Sequence, residues 1–339
     1  MFKEIERRSN EASLFNIQTI YFGGGTPSLL GETELRNLFD TIKANYNIDP
    51  NSEITLEANP DDINLDYLKQ LQEVGINRLS IGVQSFFDED LSWMNRAHNS
   101  QQSFESIEFV VASGFNNFSI DLMYGLPGSN INTWIKNLKT TLQYNIPHIS
   151  CYALTIEERT ALSHRIKEKT IQIPEDTITI EQMDALLDFC EANQYEAYEI
   201  SNFAMSGFRS RHNSSYWEGI PYFGFGPAAH SFNKNSRRWN IANNAFYIQA
   251  IDNDLPYFES EVLTRANQCN EYLMLQLRRI EGINEQCLEN YFAEFALNLI
   301  SDINKQINKG NILYNNGNYI LSRQGKYIAD EVSSSLFVS

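Results

Sequence analysis

The residues of this chain that could take part in chemistry stand at the ends of short apolar segments. Residues 23–28 read GGGTPS and directly follow the run IQTIYF, Glu57 ends the run EITLE, and Gln84 ends the run RLSIGVQ. Asp121 interrupts a fourth run, FSIDLMYGL, where a buried carboxylate is costly unless it is paired or used. The carboxyl ends of successive parallel strands converge on one rim of a barrel, where active sites of that architecture lie. The spacing therefore predicts a ligand site built from these strand ends.

Each of these residue types suits a particular ligand group. Three successive glycines let backbone N–H groups approach the carboxylate or amine-bearing end of a ligand. The Glu57 carboxylate can hold an ammonium group or a ribose hydroxyl, and the Gln84 amide can bind a ribose or a carboxylate. Arg96, on the helical segment that follows, suits bidentate binding of a carboxylate. Each residue also has a purely structural alternative. The glycines would form a tight turn, Glu57 a helix cap or salt bridge, Gln84 a contact that stabilises a loop, and Arg96 a solvated surface arginine.

A second candidate site lies in the segment HNSSYW at residues 212–217. Histidine nitrogens bind metals and can ligate heme iron, so His212 is a candidate ligand. Tyr216, Trp217 and Tyr222 could provide a flat apolar surface for a porphyrin. The alternative is a hydrogen-bonded histidine inside an aromatic loop core. Residues 224–229, GFGPAA, match part of a dinucleotide-binding fingerprint, but a strand–turn–helix context is lacking, so we reject that reading.

The elements that must position these side chains alternate between strand and helix patterns. Predicted strands cover residues 17–22, 53–57, 78–83, 117–122 and 148–154. Predicted helices cover residues 32–46, 64–75, 88–97, 101–113 and 131–145. Strands that alternate with helices indicate right-handed parallel βαβ units, and this order excludes a β-sandwich and an all-helical bundle.

The second half of the chain follows other patterns. Residues 177–193 predict a helix and residues 196–201 a strand, whereas residues 202–245 show little helical or strand periodicity. Long aperiodic segments in compact proteins are often functional. Beyond residue 266, helical patterns precede a predicted hairpin that turns at Asn316-Gly317, followed by a closing helix. These last elements predict a small winged-helix-like module.

Composition and charge exclude several classes of function. The 339 residues carry a formal net charge of -17, which repels polyanions, so we predict no nucleic-acid partner. No apolar run reaches the ~20 residues that span a bilayer, and the N-terminus lacks the apolar core of a signal peptide. We therefore expect a cytoplasmic protein without a transmembrane segment. The cysteines are far apart in sequence and predict structural thiols rather than a metal site: Cys151, Cys190, Cys269 and Cys287.

Eight motifs resemble, in this order, those of the HemW family of heme chaperones: GGGTPS, LEANP, SIGVQSF, NRAH, DLMYGLPG, YEISNFA, HNSSYW and GPAAHSF. Members of that family are radical S-adenosylmethionine proteins close to HemN, the oxygen-independent coproporphyrinogen III oxidase. The resemblance covers nearly the whole chain. It implies an α/β fold, a partial (β/α)6 TIM-like barrel missing its first strand, with a small C-terminal winged-helix-like α+β domain.

The resemblance also implies a division of the chain and a set of ligands. Residues 1–200 would form the radical-SAM-type partial barrel, 201–265 a connecting segment with HNSSYW, and 266–339 a HemN-type domain. His212 would bind heme. The site for S-adenosylmethionine would be lined by Gly24, Gly25, Thr26, Glu57, Gln84, Arg96 and Asp121.

One family feature is missing from the chain. The family carries CxxxCxxC upstream of GGGTP, and its three thiolates hold a [4Fe–4S] cluster whose open iron binds S-adenosylmethionine. This chain starts after that loop and has neither the first strand nor these cysteines. We therefore assign no catalytic residue and no metal ligand, and we expect an exposed strand edge at residues 17–22. The chain would be a shortened, non-catalytic form, a fragment, or the product of a start assigned too late.

The expected function is that of a HemW-like heme chaperone with heme and S-adenosylmethionine as ligands. A heme-accepting protein would be its partner, in heme delivery or porphyrin metabolism. One alternative is an oxidoreductase of the coproporphyrinogen III oxidase type. A further alternative is an ordinary barrel enzyme, such as an aldolase or isomerase, with Asp121 and Glu57 as acid and base. That reading is disfavoured because no lysine stands at a strand end for Schiff-base chemistry.

Overall fold

The computed structural model describes residues 1–12, 15–156, 161–168, 171 and 174–339. The strands of the first sheet are β1 (Ile17–Phe22), β2 (Ile48–Ala58), β3 (Arg78–Gln84), β4 (Phe118–Tyr124), β5 (His148–Ala153), β6 (Glu196–Ala197) and β7 (Asn202–Ala204). Two further sheets comprise β8 (His230–Phe232), β9 (Ser236–Asn240) and β10 (Phe258–Val262), and β11 (Ile283–Asn284), β12 (Ile312–Asn315) and β13 (Asn318–Leu321).

Helices connect most of these strands. Those of the first half are α1 (Phe2–Arg7), α2 (Glu32–Asn45), α3 (Leu65–Val74), α4 (Asp88–Trp93), α5 (Ser100–Ala112), α6 (Ile131–Gln143), α7 (Ala161–Lys167) and α8 (Asp176–Ala192). Those of the second half are α9 (Arg211–Trp217), α10 (Asn244–Asp252), α11 (Arg265–Arg278), α12 (Glu285–Tyr291), α13 (Ala293–Asn308), α14 (Arg323–Tyr327) and α15 (Ala329–Ser334). Among the described residues, none of these helices combines the length and apolar character needed to cross a membrane.

The seven-stranded sheet has the order β1-β2-β3-β4-β5-β7-β6. Strands β2 to β5 pair in parallel, β7 runs antiparallel to β5, and β6 runs antiparallel to β7. Strand β1 lies at one end of the sheet, which confirms the predicted edge at residues 17–22. Apolar side chains that are fully buried hold the centre of the sheet: Leu56, Leu79, Ile81, Leu122 and Ile149.

The chain divides into two compact units. The first unit contains Met1–Gln18, Arg36–Ser52 and Ser210–Ser339, and the second contains Thr19–Leu35 and Glu53–Arg209. In the first unit, the buried carboxylate of Glu4 accepts hydrogen bonds from Gly226 N–H at 2.8 Å, Asn240 Nδ2 at 2.8 Å and the Tyr247 hydroxyl at 2.6 Å. These contacts attach α1 to residues more than 200 positions away in the sequence.

Local sequence signals explain where many elements begin and end. Helix α3 starts after Asn64, whose side chain accepts from the Tyr67 N–H, and it ends at Gly75, which has a φ of 110°. The hairpin of β12 and β13 turns at Asn316 and Gly317, with φ values of 48° and 81°, as the sequence predicts. The helix and strand alternation predicted for the first 155 residues is confirmed element by element.

Two sequence predictions are wrong. Residues 196–201 do not form one strand, because the chain turns at Glu199, whose Oε1 accepts from Ser201 N–H at 2.8 Å and from Asn202 Nδ2 at 2.5 Å. Residues 202–245 are not irregular throughout, because β7, α9, β8 and β9 lie between their turns and loops. Each of these elements spans only three to seven residues, which is too short for a periodic pattern to be recognised.

Candidate functional site

The Glu57 carboxylate lies at the carboxyl end of β2 and is oriented by two donors. Its Oε1 accepts from the Tyr21 hydroxyl at 2.8 Å, and its Oε2 accepts from the Gly24 N–H at 3.1 Å. Burial and then the charge of Glu57 raise the pKa of Tyr21. The phenol therefore keeps its proton at neutral pH and continues to donate to Glu57.

The glycine triplet lets the loop after β1 pass close to this carboxylate. A Cβ at Gly23 would lie 2.5 Å from the Tyr21 ring and 2.9 Å from Glu57 Oε1. Gly24 and Gly25 have φ values of 78° and 88°, and a Cβ on either would meet nothing within 4 Å. The loop thus borders open space on one side and Glu57 on the other. Thr26 follows in the same loop, and its carbonyl accepts from the Leu29 N–H at 3.1 Å.

Gln84 and Arg96 meet above Gly82 at the carboxyl end of β3. A Cβ on Gly82 would lie 3.1 Å from Gln84 Nε2 and 3.2 Å from Arg96 Nη2, so glycine makes room for both side chains. Arg96 Nη2 donates to Asn59 Oδ1 at 2.8 Å and to the Gly82 carbonyl at 3.2 Å. Gln84 has a φ of 65°, and the pairing of β3 with β4 shifts register before it. This irregularity turns the chain where the amide is presented.

Arg96 lies beyond the helix in which the sequence pattern placed it. Helix α4 ends at Trp93, and Asn95, with a φ of 54°, turns the chain before Arg96. The Nε of Arg96 is buried and has no hydrogen-bond partner within the described part of the chain. A guanidinium with an unsatisfied buried donor is suited to an additional carboxylate partner.

Asp121 is a carboxyl with a strongly perturbed protonation equilibrium. It lies on β4, in register with Ser150 of β5. Burial raises the pKa of Asp121 to about 7, and the negative charge of Glu57 acts in the same direction. A hydrogen bond with Ser150 and the charges of Arg78 and Arg96 oppose this shift without cancelling it. Near neutral pH the group can therefore either accept from a cation or donate a proton in a hydrogen bond.

The structure brings most of the predicted residues into one neighbourhood. All seven lie in the second unit: Gly24, Gly25, Thr26, Glu57, Gln84, Arg96 and Asp121. Glu57 bonds to Gly24, Gln84 and Arg96 flank Gly82, and Asp121 is influenced by the charges of both Glu57 and Arg96. Gly25 and Thr26 continue the loop of Gly24. His212 belongs to the first unit and is described separately.

Sequence reasoning did not assign three residues that complete this neighbourhood. Tyr21 stands two positions before Gly23, and Asn59 two positions after Glu57, so strand alternation could have placed each on the face of its neighbour. Ser150 had no such signal, because its position beside Asp121 depends on the register of β4 and β5.

His212 lies in the first turn of α9. Ser210 starts this helix by accepting from the Asn213 N–H at 3.2 Å. The imidazole meets Tyr216 edge-on, with ring centroids 4.9 Å apart and an interplanar angle of 90°. Burial lowers the pKa of His212 to about 4, so its imidazole is neutral at pH 7. The neutral form is the one that ligates metal ions.

The thiols of this chain do not fit an iron–sulfur cluster. The sequence contains no CxxxCxxC, and burial raises the pKa of Cys269 to about 11 and that of Cys151 well above its usual value. Thiolates rather than thiols ligate such clusters. Across the residues with described positions, no group of three or more His, Cys, Asp or Glu side chains could hold a metal ion.

Sequence comparison relates the chain to known proteins. The family model of the radical SAM superfamily matches residues 2–141. A heme chaperone HemW from Bacillus subtilis is 34% identical over 322 residues, which cover 94% of this chain and 84% of that protein. A heme chaperone HemW from Lactococcus lactis is 33% identical over 291 residues, which cover 85% of this chain and 76% of that protein.

Structural comparison identifies the fold. The solved structure of coproporphyrinogen III oxidase (HemN) from Escherichia coli, a radical SAM enzyme, has a TM-score of 0.84 and 21% sequence identity, and the match covers 99% of this chain and 81% of that chain. The TIM-like α/β fold expected from the sequence is therefore confirmed. Because its identity with the heme chaperones extends over most of both chains, this chain belongs to the HemW family of the radical SAM superfamily.

Proposed function

We propose that the chain is a heme chaperone that binds S-adenosylmethionine at the strand ends of its second unit and carries heme beside His212. The observation that supports the proposal is that Asp121 lies in the electrostatic field of both Glu57, which is bonded to Gly24, and Arg96, which shares the space above Gly82 with Gln84, in a chain of the HemW family. HemN-type oxidation is the weaker candidate, because the likeness to HemN is 21% in sequence and supports only the fold.

The rim residues match the polar groups of S-adenosylmethionine. Glu57 suits the ammonium group or a ribose hydroxyl, and Arg96, with its unsatisfied Nε, suits the carboxylate. Gln84 adds an amide beside Arg96. Asp121 adds a carboxyl whose ionised form a cationic ligand would stabilise. Bound S-adenosylmethionine would supply the sulfonium group whose carbon–sulfur bond is cleaved in radical chemistry. The residues of this chain bind and orient it, and we assign them no redox step because they do not fit a cluster.

Heme is the proposed cargo of the first unit. His212 offers a neutral imidazole, and Tyr216 offers an aromatic surface beside it that is 39% exposed. Heme binds through one or two axial ligands and through contacts with its flat apolar face.

We further propose a heme-accepting protein as partner, a cytoplasmic location, and the division into residues 1–200, 201–265 and 266–339. Limited proteolysis tests that division, and cell fractionation tests the location.

Binding of S-adenosylmethionine is tested by isothermal titration calorimetry. Glu57→Gln keeps an acceptor but removes the charge, so we expect the affinity to fall about tenfold. The matched control is Glu73→Gln, at an exposed position of α3, which should bind like the wild type. Equal affinity of Glu57→Gln and the wild type would remove Glu57 from the proposed site.

Heme binding is tested by titration with hemin, followed by absorbance in the Soret region. We expect a shifted Soret band in the wild type and a weakened shift in His212→Ala. His164→Ala, at an exposed histidine of the second unit, is the control. An unchanged spectrum in His212→Ala would exclude His212 as a ligand. A parallel assay of coproporphyrinogen conversion separates the chaperone from the oxidase, since only the oxidase consumes this substrate.

A further inference from the structure

We propose that Arg237 is a specificity-determining residue that binds a propionate carboxylate of the heme carried beside His212. The inference rests on the proposed function, because it takes heme as the cargo. It adds the group that would distinguish heme from porphyrins that lack free carboxylates. All residues involved lie in the first unit.

A continuous row of aromatic rings connects His212 with Arg237. The row consists of His212, Tyr216, Tyr222 and Phe232, with successive ring centroids 4.9, 4.6 and 6.1 Å apart. Tyr222 and Phe232 are also joined by two backbone hydrogen bonds of 3.0 Å. The rings therefore form one connected aromatic cluster, with edge-on contacts of 90° and 73° followed by a tilted contact of 35°, and a flat macrocycle can pack against its exposed edges.

Arg237 stands at the far end of this row. Its guanidinium carbon lies 5.7 Å from the centre of the Phe232 ring, and the guanidinium also hydrogen-bonds with Tyr222. Strand alternation on β9 gives this placement, because Phe232 and Arg237 are paired across β8 and β9. A cation thus borders the aromatic row at the end opposite the histidine.

The ion pair of Arg237 leaves the guanidinium able to bind another carboxylate. Glu271 Oε1 lies 2.8 Å from Arg237 Nη2, and the side chain of Arg237 is 32% exposed. A guanidinium has five N–H donors, which is more than Glu271 and Tyr222 use. The pair is only partly buried, with 32% of the Arg237 side chain and 18% of the Glu271 side chain exposed, so an incoming carboxylate can reach the donors that Glu271 does not use.

The charge of the cargo favours a cation at this position. Heme carries two propionate carboxylates, and the protein has a formal net charge of -17. A charged, planar carboxylate is bound best by the bidentate fork of arginine. Arg237 combines that fork with contact to the aromatic row, so both the apolar and the anionic parts of heme find a partner.

The neighbouring arginine provides a matched control. Arg238 points to the opposite face of β9, where it contacts Glu11 Oε1 at 3.3 Å and the Tyr257 hydroxyl at 3.3 Å. Arg237→Gln and Arg238→Gln therefore remove the same charge from the same strand on different faces. Thermal unfolding followed by circular dichroism checks that both variants are folded.

The test compares hemin with hemin dimethyl ester, in which both propionates are methylated. We expect the wild type and Arg238→Gln to bind hemin about tenfold more tightly than the ester. Arg237→Gln should lose this preference by weakening hemin binding alone, and Arg237→Lys should restore part of it. Glu271→Gln should strengthen hemin binding, because it removes a competing carboxylate.

The outcomes separate this inference from the proposed function. If Arg237→Gln binds hemin and still prefers it to the ester, or weakens both ligands equally, the role of Arg237 is overturned while heme transport stands. If the wild type binds neither porphyrin, the proposed function fails, and this inference fails with it. Loss of the preference in Arg238→Gln but not in Arg237→Gln would assign the carboxylate to the other face of β9.

Discussion

At the scale of single residues, two carboxyls of the rim differ in how their charges are compensated. Glu57 accepts from both Tyr21 and Gly24, whereas Asp121 is more deeply affected by burial and also lies in the field of Glu57. The negative charge of Glu57 disfavours ionisation of Asp121 and so adds to the effect of burial on the pKa of Asp121. The strand ends that carry Glu57 and Asp121 therefore hold less negative charge near pH 7 than two ionised carboxylates would. A cationic ligand would favour the ionised form of Asp121 and so increase this negative charge.

We expect Asp121→Asn to remove a pH dependence of stability. The carboxyl titrates near pH 4 in the unfolded chain and at about 7 in the folded protein. The stabilising effect of this raised pKa is fully present below about pH 4 and is lost as the pH rises through about 7. The free energy of unfolding of the wild type should therefore fall relative to the variant, by at most about 1.4 kcal/mol per pH unit in this window.

Urea unfolding at a series of pH values measures this difference. Asp66→Asn, at an exposed position of α3, is the control and should follow the pH profile of the wild type. Parallel profiles of the wild type and Asp121→Asn would contradict the shifted equilibrium of Asp121.

At the scale of elements, the end of β3 determines how the rim is built. Gly82 provides the space into which Gln84 and Arg96 fold, and the register shift of β3 against β4 presents the Gln84 amide. The proposed site therefore depends on a backbone irregularity as much as on the side chains proposed to contact a ligand.

We expect Gly82→Ala to weaken binding of S-adenosylmethionine about tenfold with little loss of stability. The added Cβ would approach Gln84 Nε2 and Arg96 Nη2, which are ends of flexible side chains that can move away. Gly114→Ala is a control with the opposite expected effect, a loss of stability without a loss of affinity. Its φ of 84° strains any other residue by roughly 1–2 kcal/mol, but a Cβ there meets nothing within 4 Å. Calorimetry and urea unfolding measure both properties, and unchanged affinity in Gly82→Ala would contradict the packing argument.

The sequence predicted the long elements well and the short ones poorly. Strands β1 to β5 combine an apolar run with flanking turn residues, so their positions follow from local pattern. Strands β8 and β9 have three and five residues and are held by tertiary pairing, which a local pattern cannot reveal. Likewise, residue type singled out Glu57, but its bond to Tyr21 depends on how β1 lies along β2.

At the scale of the whole molecule, each proposed ligand is assigned to a single compact unit. Glu57 belongs to the second unit and His212 to the first, and each unit is built from separate stretches of sequence. Contacts such as those of Glu4 close the first unit across more than 200 residues of chain. The two proposed binding events therefore rest on different sets of packing contacts.

We expect the two binding events to be lost independently. Glu57→Gln should leave the Soret shift produced by hemin unchanged, and His212→Ala should leave the affinity for S-adenosylmethionine unchanged, because the two residues belong to different compact units and the effects of mutations at independent sites add. Titration of each variant with both ligands measures this. A loss of both activities in either variant, with the fold intact by circular dichroism, would mean that the two ligands share a site or are coupled.

Gln84 has a strained backbone conformation that places its side-chain amide beside Arg96. Its φ of 65° costs a residue with a Cβ roughly 1–2 kcal/mol, a strain that glycine would relieve. Glycine would also remove the amide beside Arg96. A library screened only for melting temperature would therefore enrich glycine at this position and lose the amide proposed to bind the ligand, so thermostability and affinity must be selected together here.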